Sequence, residues 1–193
     1  MDNAKYRRIF SALPTIHTQR LTLKRILPEN AEDMFEYSSQ QKVTEFLLWS
    51  PHVNIRETKG YIEYLQREYR KGNYADWGIT YNENSKFIGT IGFANLDIRN
   101  NWGEIGYVLN PAYHGKGIMT EALTAVLSLA FRELSLHRVQ LRIMEGNTAS
   151  EKLAVRMGFV CEGLQRDSIF VKGSYRKVHI YSMLAEEYFA RVK

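Results

Sequence analysis

A short glycine-containing segment, His-Gly-Lys-Gly-Ile-Met-Thr, stands directly before a long apolar helix pattern at residues 114–120. Gly115 and Gly117 let the backbone approach a ligand without a Cβ clash. The first N–H groups of a helix have no partner within the helix, and together with the helix dipole they favour an anion. The segment therefore predicts a phosphate site of backbone N–H groups, to which Thr120 adds a hydroxyl and Lys116 a charge.

The residues alone leave another interpretation of this segment open. A glycine turn that only joins a strand to a helix has the same composition. The common nucleotide motifs, Gly-x-x-x-x-Gly-Lys-Ser/Thr and Gly-x-Gly-x-x-Gly, do not fit the segment. Both motifs also imply a parallel sheet, which the order of elements does not predict.

A second polar group lies further along the chain, where Asn147 follows a predicted strand and Ser150 stands one turn into a short helix. Asn, Ser and Thr are preferred N-caps, so both side chains have a purely structural interpretation. Glu104 stands near the start of the strand ahead of the glycine segment. By its residue type alone it is an ordinary surface position of a strand.

The elements that position these residues follow from the hydrophobic pattern. Alternation and turn signals predict strands at residues 18–26, 76–81, 86–95, 103–109, 137–144, 159–164 and 178–184. Apolar residues three and four positions apart predict helices at about 30–37, 55–70, 117–134 and 149–157. This order predicts an α+β fold with a mixed, mostly antiparallel central sheet flanked by helices, and with a parallel crossover from residue 103 to residue 144.

Composition narrows the class of protein. The chain has 193 residues, of which 45% are hydrophobic and 24% charged, which is typical of one globular domain. Its five histidines are dispersed without metal-ligand spacing, and His52 and His137 are expected in loops. A net charge of +5 without a run of basic residues does not predict nucleic-acid binding. No stretch is long and apolar enough to predict a membrane span or a secretory signal.

The chain has one cysteine, Cys161, within an apolar strand-like run. An unpaired cysteine usually packs as a small core residue and is typical of a reducing compartment. We therefore expect a buried structural thiol and a cytoplasmic protein.

Four blocks, in this order and at this spacing, resemble the GNAT superfamily of N-acetyltransferases, in the branch named for enzymes that acetylate the N-terminal alanine or serine of ribosomal proteins. The blocks are TQRLTLKR at residues 18–25, KFIGTIGF at 86–93, the run at 103–121, and NTASEKLAVRMGF at 147–159. The resemblance implies a single N-acetyltransferase domain at residues 18–188, with an N-terminal arm at 1–17 and a tail at 189–193.

The resemblance also implies where acetyl-CoA, the co-substrate, binds. The sheet is expected to splay between the strands at 103–109 and 137–144, where the pantetheine arm pairs with the backbone around Val108 and Leu109. The pyrophosphate is expected on the amides of the loop, at His114, Gly115, Lys116, Gly117, Ile118, Met119 and Thr120. In the family pattern Gln/Arg-x-x-Gly-x-Gly/Ala, Gly117 matches while His114 and Met119 depart. No metal is implied.

Roles for the remaining polar residues follow from the same resemblance. Asn147 corresponds to the residue that hydrogen-bonds pantetheine, and Ser150 to the one that protonates the departing thiolate. Glu104 is the first candidate for the general base, acting through a water molecule. The alternatives lie in the C-terminal hairpin, where Ile169 occupies the position at which some relatives carry a glutamate. These alternatives are Asp167, Tyr175 and His179.

The implied activity is transfer of an acetyl group to a primary amine by direct attack in a ternary complex. The branch points to the N-terminal amine of a ribosomal or other protein as acceptor. Acetylation of a small amine such as a polyamine or aminoglycoside remains open, as does a non-catalytic CoA-binding regulatory module. No nucleic-acid or membrane partner is expected, and both a monomer and a homodimer remain possible.

Overall fold

The computed structural model describes residue 6 and residues 9–73 and 76–192. Its strands are β1 (Ile16–His17), β2 (Leu21–Arg25), β3 (Asp76–Tyr81), β4 (Lys86–Asp97), β5 (Trp102–Leu109), β6 (Arg138–Met144), β7 (Val160–Val171) and β8 (Ser174–Leu184). Its helices are α1 (Ala31–Ser38), α2 (Gln41–Thr44), α3 (Ile55–Lys71), α4 (Ile118–Ser128), α5 (Thr148–Met157) and α6 (Ala185–Arg191).

The strands of the described part form a single sheet in the order β1-β2-β3-β4-β5-β6-β8-β7. Every neighbouring pair is antiparallel except β5 and β6, which are parallel. The chain between those two strands contains α4, so the parallel pair is made by a helical crossover. The predicted α+β class with a mixed, mostly antiparallel sheet is confirmed.

Helix α4 supplies much of the core beneath the sheet. Its apolar face is buried, and the helix continues into a wider π-helical turn at Leu129–Glu133. The predicted helix at residues 117–134 therefore combines two kinds of turn. Strand β3 contributes Trp77, which is fully buried and donates from its indole Nε1 to the carbonyl of Pro14 at 2.8 Å.

Both chain ends pack on this core in the part that the structure describes. Phe10 and Leu13, from the expected arm at residues 1–17, are buried in the main hydrophobic cluster. Phe189 and Arg191, from the expected tail, belong to the last helix. Residues 1–5, 7–8 and 193 of the arm and tail lie outside the described residues, and the domain limits stay a prediction.

The C-terminal hairpin is longer than the sequence predicts. β7 and β8 are joined by a two-residue turn, Lys172-Gly173, in which both residues have positive φ (51° and 77°). β7 is an edge strand whose residues are almost all exposed, so it lacks the alternating pattern by which strands are recognised. The expectation of a buried thiol is wrong for the same reason, because Cys161 on this edge strand is exposed.

No helix in the described ranges is long and apolar enough to cross a membrane.

The close pairing of β4 with β5 leaves no room for a side chain at Gly89, which can be tested. A Cβ atom at Gly89 would lie 2.3 Å from the carbonyl oxygen of Val108, whereas one at Gly60 in α3 would meet nothing within 4 Å. We expect Gly89→Ala to destabilise the protein by about 1–3 kcal/mol, because the two strands must move apart. Gly60→Ala, the matched control, is expected to be neutral or stabilising by up to about 1 kcal/mol.

Urea unfolding of both variants measures the difference. Equal stability of Gly89→Ala and the wild type would contradict the strand contact described here.

Candidate active site

The two parallel strands at the centre of the sheet separate soon after they meet. β5 and β6 pair only at Trp102↔Arg138, Gly103↔Val139 and Glu104↔Gln140. Beyond Glu104, β5 stays paired with β4 on one side only, while β6 stays paired with β8. The backbone edge of residues 105–109 therefore faces a gap, and some of its N–H and C=O groups have no neighbouring strand. The predicted splay between these two strands is confirmed.

A β-bulge in β4 lies at the level where the gap opens. Phe93 pairs with Ile105 and Asn95 pairs with Glu104, so Ala94 is an extra residue opposite this step. Bulges increase local twist and bend the strand that carries them. The bulge thus bends the β4–β5 ribbon at the point where β5 leaves β6.

The gap ends at the glycine segment, whose entry is fixed by Asn110. This buried side chain accepts a hydrogen bond from the N–H of Ala112 at 3.0 Å and donates one to Glu36 at 2.9 Å. Gly115 and Gly117 have φ values of 74° and 73°, a left-handed conformation that glycine adopts without strain. The left-handed backbone conformation at these two positions therefore explains why the loop contains glycine at both.

The backbone N–H groups at residues 115–120 of this loop have no hydrogen-bond acceptor among the described residues. In α4 the N–H of Glu121 donates to the carbonyl of Gly117 at 3.1 Å, which is the first bond of the helix. Within the described ranges, no hydrogen bond occupies the N–H groups of residues 115–120. Unpaired N–H groups at the start of a helix attract an anion. The phosphate role of the loop stays a prediction, and this geometry is suited to it.

The side chains of the loop take different directions. His114 is exposed, and its Nε2 lies 3.1 Å from the carbonyl oxygen of Leu109. Met119 is buried in the core, so its bulk lies away from the loop surface. Lys116 places its Nζ over the ring of Tyr113 at 5.2 Å, and the hydroxyl of Thr120 accepts from Arg156 at 3.1 Å. The departures at 114 and 119 therefore leave the backbone of the loop accessible.

An ion pair that no sequence pattern predicted links the loop to the start of β2. Glu121 accepts hydrogen bonds from the hydroxyl of Thr18 at 2.6 Å, from the N–H of Arg20 at 2.8 Å and from its Nε at 2.7 Å. Arg20 also donates to the carbonyl of Lys116 at 2.9 Å. Partial burial raises the pKa of Glu121, but the bonds from Thr18 and Arg20 outweigh it and lower that pKa below its usual value.

Asn147 and Ser150 lie on the other side of the gap, at the start of α5. The Asn147 side chain accepts from the N–H of Ser150 at 3.3 Å, so it caps the helix as its residue type suggested. Across the gap from β5 comes Tyr107, whose buried hydroxyl lacks a well-formed hydrogen bond. Burial raises the pKa of Tyr107, and the nearby Ser150 hydroxyl acts in the opposite direction. The two hydroxyls thus face each other where the strands separate.

Two adjoining cavities open on the sheet around Glu104. The first, of about 560 Å³, is lined mainly by aromatic and apolar side chains. Its phenylalanine, tyrosine and tryptophan residues are Tyr37, Phe46, Trp49, Tyr61, Tyr64, Phe93 and Tyr107. The second, of about 700 Å³, is more polar. Glu104 and Arg142 border both, and Glu104 accepts from the amide of Gln140 at 3.0 Å, so this carboxylate stands between the two spaces.

His52, expected in a loop, belongs to the first cavity. Its Nδ1 lies 3.0 Å from the hydroxyl of Ser38 and 2.7 Å from that of Thr58. Burial lowers the pKa of His52, which favours the neutral ring. The Nδ1 of His52 therefore contacts two hydroxyl groups and helps to fix the cavity wall.

The other candidates for a base lie further away. Asp167 and Tyr175 are exposed on the hairpin and line neither cavity, and Tyr175 packs against Phe170 at 5.0 Å. His179 lies beside Glu151 and Cys161, at 3.8 and 4.0 Å. Of the four candidates, only Glu104 lines the two cavities.

The second cavity contains an ion pair across β6 and β7. Glu162 accepts from Arg138 at 2.5 and 2.8 Å and from the hydroxyl of Ser182 at 2.7 Å. The bonds from Arg138 and then Ser182 lower the pKa of Glu162 to about 2. Among the described residues, no group of three or more His, Cys, Asp or Glu side chains is placed to hold a metal ion.

The chain is similar in sequence to known acetyltransferases. The family model described as "Acetyltransferase (GNAT) domain" matches residues 20–160. An uncharacterized N-acetyltransferase, p20, of Bacillus licheniformis is 32% identical over 91% of this chain and 99% of its own. The ribosomal protein uS5-alanine N-acetyltransferase of Escherichia coli is 26% identical over 86% of this chain and 88% of its own.

A solved structure shows the same arrangement of elements. The microcin C7 self-immunity acetyltransferase MccE, in complex with acetyl-CoA and AMP, superposes with a TM-score of 0.77. It is 25% identical and covers 86% of this chain and 93% of its own.

The depressed pKa of Glu162 predicts a pH-dependent contribution to stability. A carboxyl whose pKa falls on folding stabilises the folded state above its ordinary pKa of 4.5, and this contribution is lost as the pH falls to about 2. Because the pair is largely accessible to solvent, we expect Glu162→Gln to cost at most about 1 kcal/mol at pH 7. The difference in the free energy of unfolding between the wild type and Glu162→Gln should vanish as the pH falls from 4.5 to about 2.

Urea unfolding at several pH values measures this deficit. Glu145→Gln is the control, since its more exposed pair with Lys177 is 3.4 Å long. A Glu162→Gln deficit that does not change with pH would rule out the ion pair as its source.

Proposed function

The chain belongs to the GNAT acetyltransferase domain family, and from this premise we propose that it transfers the acetyl group of acetyl-CoA to a primary amine. The observation that carries the proposal is the gap between β5 and β6, which leads to a loop of unpaired backbone N–H groups. A long ligand with an extended polar arm and a pyrophosphate fits these two features in sequence.

Acetyl-CoA would be held mostly by backbone groups. The N–H groups of residues 115–120 suit the pyrophosphate, and the free edge of β5 around Val108 and Leu109 suits the amides of pantetheine. Asn147 can cap α5 and also face the same arm. The solved structure of MccE, which is in complex with acetyl-CoA, supports this choice of co-substrate.

Direct attack within a ternary complex requires few groups. The amine nitrogen attacks the thioester carbonyl carbon, and the carbon–sulfur bond breaks as the amide forms. A backbone N–H near Leu109 polarises the carbonyl oxygen, as donors of an oxyanion hole do. The leaving thiolate takes a proton from the hydroxyl of Ser150, which regains one from water, and Tyr107 offers a second hydroxyl beside it.

Glu104 is the proposed base that removes the proton of the attacking amine. It stands at the last paired position before the gap and lines the first cavity. One of its oxygens accepts from Gln140, which leaves the other for the amine or for a bridging water molecule. No other carboxylate among the described residues borders both cavities.

Two acceptors are supported by different observations. The name of the E. coli relative, an N-acetyltransferase of ribosomal protein uS5, supports the N-terminal amine of a protein. The aromatic cavity of about 560 Å³ beside Glu104 has the size and lining for a small amine or for the first side chains of a peptide. In either case the reacting nitrogen lies at the Glu104 end.

The loop assignment predicts the effect of a charge at Gly117. Gly117→Glu adds a side chain and a negative charge among the N–H groups proposed for the pyrophosphate, so we expect acetyl-CoA affinity to fall at least about 100-fold. Gly173→Glu is the matched control, since Gly173 has a similar φ of 77° and open space but lies in the β7–β8 turn. Calorimetric titration that shows near-normal affinity for Gly117→Glu would refute the loop assignment.

The role of Glu104 predicts a separation of binding from turnover. Glu104→Gln keeps the hydrogen-bonding shape of the side chain but removes its basicity, so we expect kcat to fall about 10²- to 10³-fold. Acetyl-CoA affinity should stay within about twofold, because no phosphate contact is altered. Thiol release measures kcat, and Glu145→Gln on the surface is the control. Unchanged turnover in Glu104→Gln would remove it as the base.

A further inference from the structure

The first cavity has a second acidic end, formed by Asp76 at the start of β3. Its carboxylate accepts a hydrogen bond from the hydroxyl of Tyr61 at 2.7 Å, and its backbone carbonyl accepts one from Tyr69 at 2.6 Å. Protein surrounds the side chain, which keeps a partial exposure where it lines the cavity. Among the described residues, the other carboxylate oxygen of Asp76 accepts no hydrogen bond, and Asp76 lines the cavity.

No cation in the described part of the chain pairs with Asp76. The six ion pairs of that part involve other carboxylates, and Glu68, which also lines the cavity, is paired with Lys71 at 2.8 Å. Arg142, the arginine of this cavity, borders it at the Glu104 side, where the two cavities meet. Burying a carboxylate without a positive partner costs free energy, which a cationic ligand would recover.

Aromatic rings surround the same end. Tyr61 and Tyr64 stack with centroids 6.3 Å apart, and Tyr37 is 2% exposed, with its ring on the cavity wall. Tyr37 is buried close enough to Asp76 that burial and then the Asp76 charge raise the pKa of its hydroxyl. Tyrosine faces and hydroxyl oxygens attract an ammonium group, so this cage favours the same charge as the carboxylate.

Two glycines lie between the two acidic ends in the register of the sheet. Asp76 lies opposite Gly92, and Gly92 lies opposite Gly106, so these residues share one face of the sheet with Glu104. A Cβ at Gly106 would meet only Ala94, at 3.8 Å. From strand spacing and rise, the backbone positions of Asp76 and Glu104 are about 12 Å apart, a span for a linear diamine with about six to eight methylene groups.

We propose that the acceptor carries a second cationic group, which Asp76 and its tyrosine cage bind while the reacting amine lies at Glu104. This inference rests on the proposed function for the position of the reacting amine. The second cation has two possible sources, a free diamine or a lysine side chain near the N-terminus of a peptide. Both present an ammonium group at the end of a flexible apolar chain.

Protonation of Asp76 is coupled to this role. Burial raises the pKa of the Asp76 carboxyl, against the hydrogen bond from Tyr61, which lowers it. A bound ammonium favours the charged carboxylate and so lowers the pKa again. Binding of the second cation is therefore expected to weaken as the pH falls toward the range in which Asp76 is protonated.

Paired acceptors that differ only in one charge test the proposal. One pair is 1,7-diaminoheptane and 1-aminoheptane, and the other is a short peptide with lysine or norleucine at its third position. We expect the charged member of at least one pair to have a kcat/KM about 10-fold or more above its uncharged partner in the wild type. In Asp76→Asn this ratio should fall to about one, while the rate with the uncharged member is kept.

Glu68→Gln, at the rim of the same cavity, is the matched control and should keep the ratio. If thermal melting shows that Asp76→Asn does not fold, Tyr37→Phe takes its place and should lower the ratio several-fold. A ratio of one for both pairs in the wild type overturns the proposal. A ratio that stays at its wild-type value in Asp76→Asn, or in Tyr37→Phe where that variant takes its place, also overturns the proposal.

Calorimetry on the wild type with CoA separates this proposal from the proposed function. If no amine is acetylated but the charged members bind more tightly than the uncharged ones, the cation site stands and the proposed transfer fails. If both members of each pair are acetylated and bound equally, the transfer stands and the cation site is wrong. Which of the two pairs shows the preference identifies the source of the second cation.

Discussion

The parting of β5 and β6 after three paired positions is the constraint on which the rest of the site depends. A parallel pair that continued to Leu109 would satisfy the backbone and close the sheet. Its early end leaves polar backbone groups unpaired along residues 105–109, which is costly unless water or a ligand satisfies them. The bulge at Ala94 and the close contact of Gly89 with Val108 keep β5 on β4 instead, so the gap is built into the pairing of the sheet.

The loop at the end of that gap is held in shape by contacts from outside it. Arg20 joins the loop carbonyl of Lys116 to the carboxylate of Glu121, and Asn110 joins the end of β5 to Glu36. Because these bonds fix the loop before any ligand arrives, less conformational entropy is lost on binding. If backbone N–H groups bind the phosphate as proposed, the side chains at positions 114 and 119 do not have to match the family pattern.

Local signals in the sequence predicted the local parts of this site. The glycines at 115 and 117 before an apolar helix pattern, and the polar pair Asn147 and Ser150 before another, needed only neighbouring residues. The gap itself was expected only from the resemblance to a family, because divergence of two strands has no periodic signature. The Arg20–Glu121 pair joins residues far apart in the chain, so no spacing rule could predict it.

The acidic end of the aromatic cavity shows the same limit. An aspartate before a tryptophan at the start of a strand looks like an ordinary turn residue. Only the register of three strands shows that Asp76 lies opposite Gly92, which in turn lies opposite Gly106. The prediction for the edge strand β7 was wrong for a different reason. Its exposed faces gave no alternation, so the sequence predicted a shorter strand and a buried Cys161.

The central claim is that the β5–β6 gap and the loop after it bind one ligand along their backbone groups. Amide hydrogen exchange of the wild type, with and without acetyl-CoA, measures this directly, because each backbone N–H reports its own protection. We predict that acetyl-CoA slows exchange at residues 115–120 and along 105–109, with little change in the β7–β8 turn. Binding of acetyl-CoA that leaves exchange at 115–120 unchanged would contradict it.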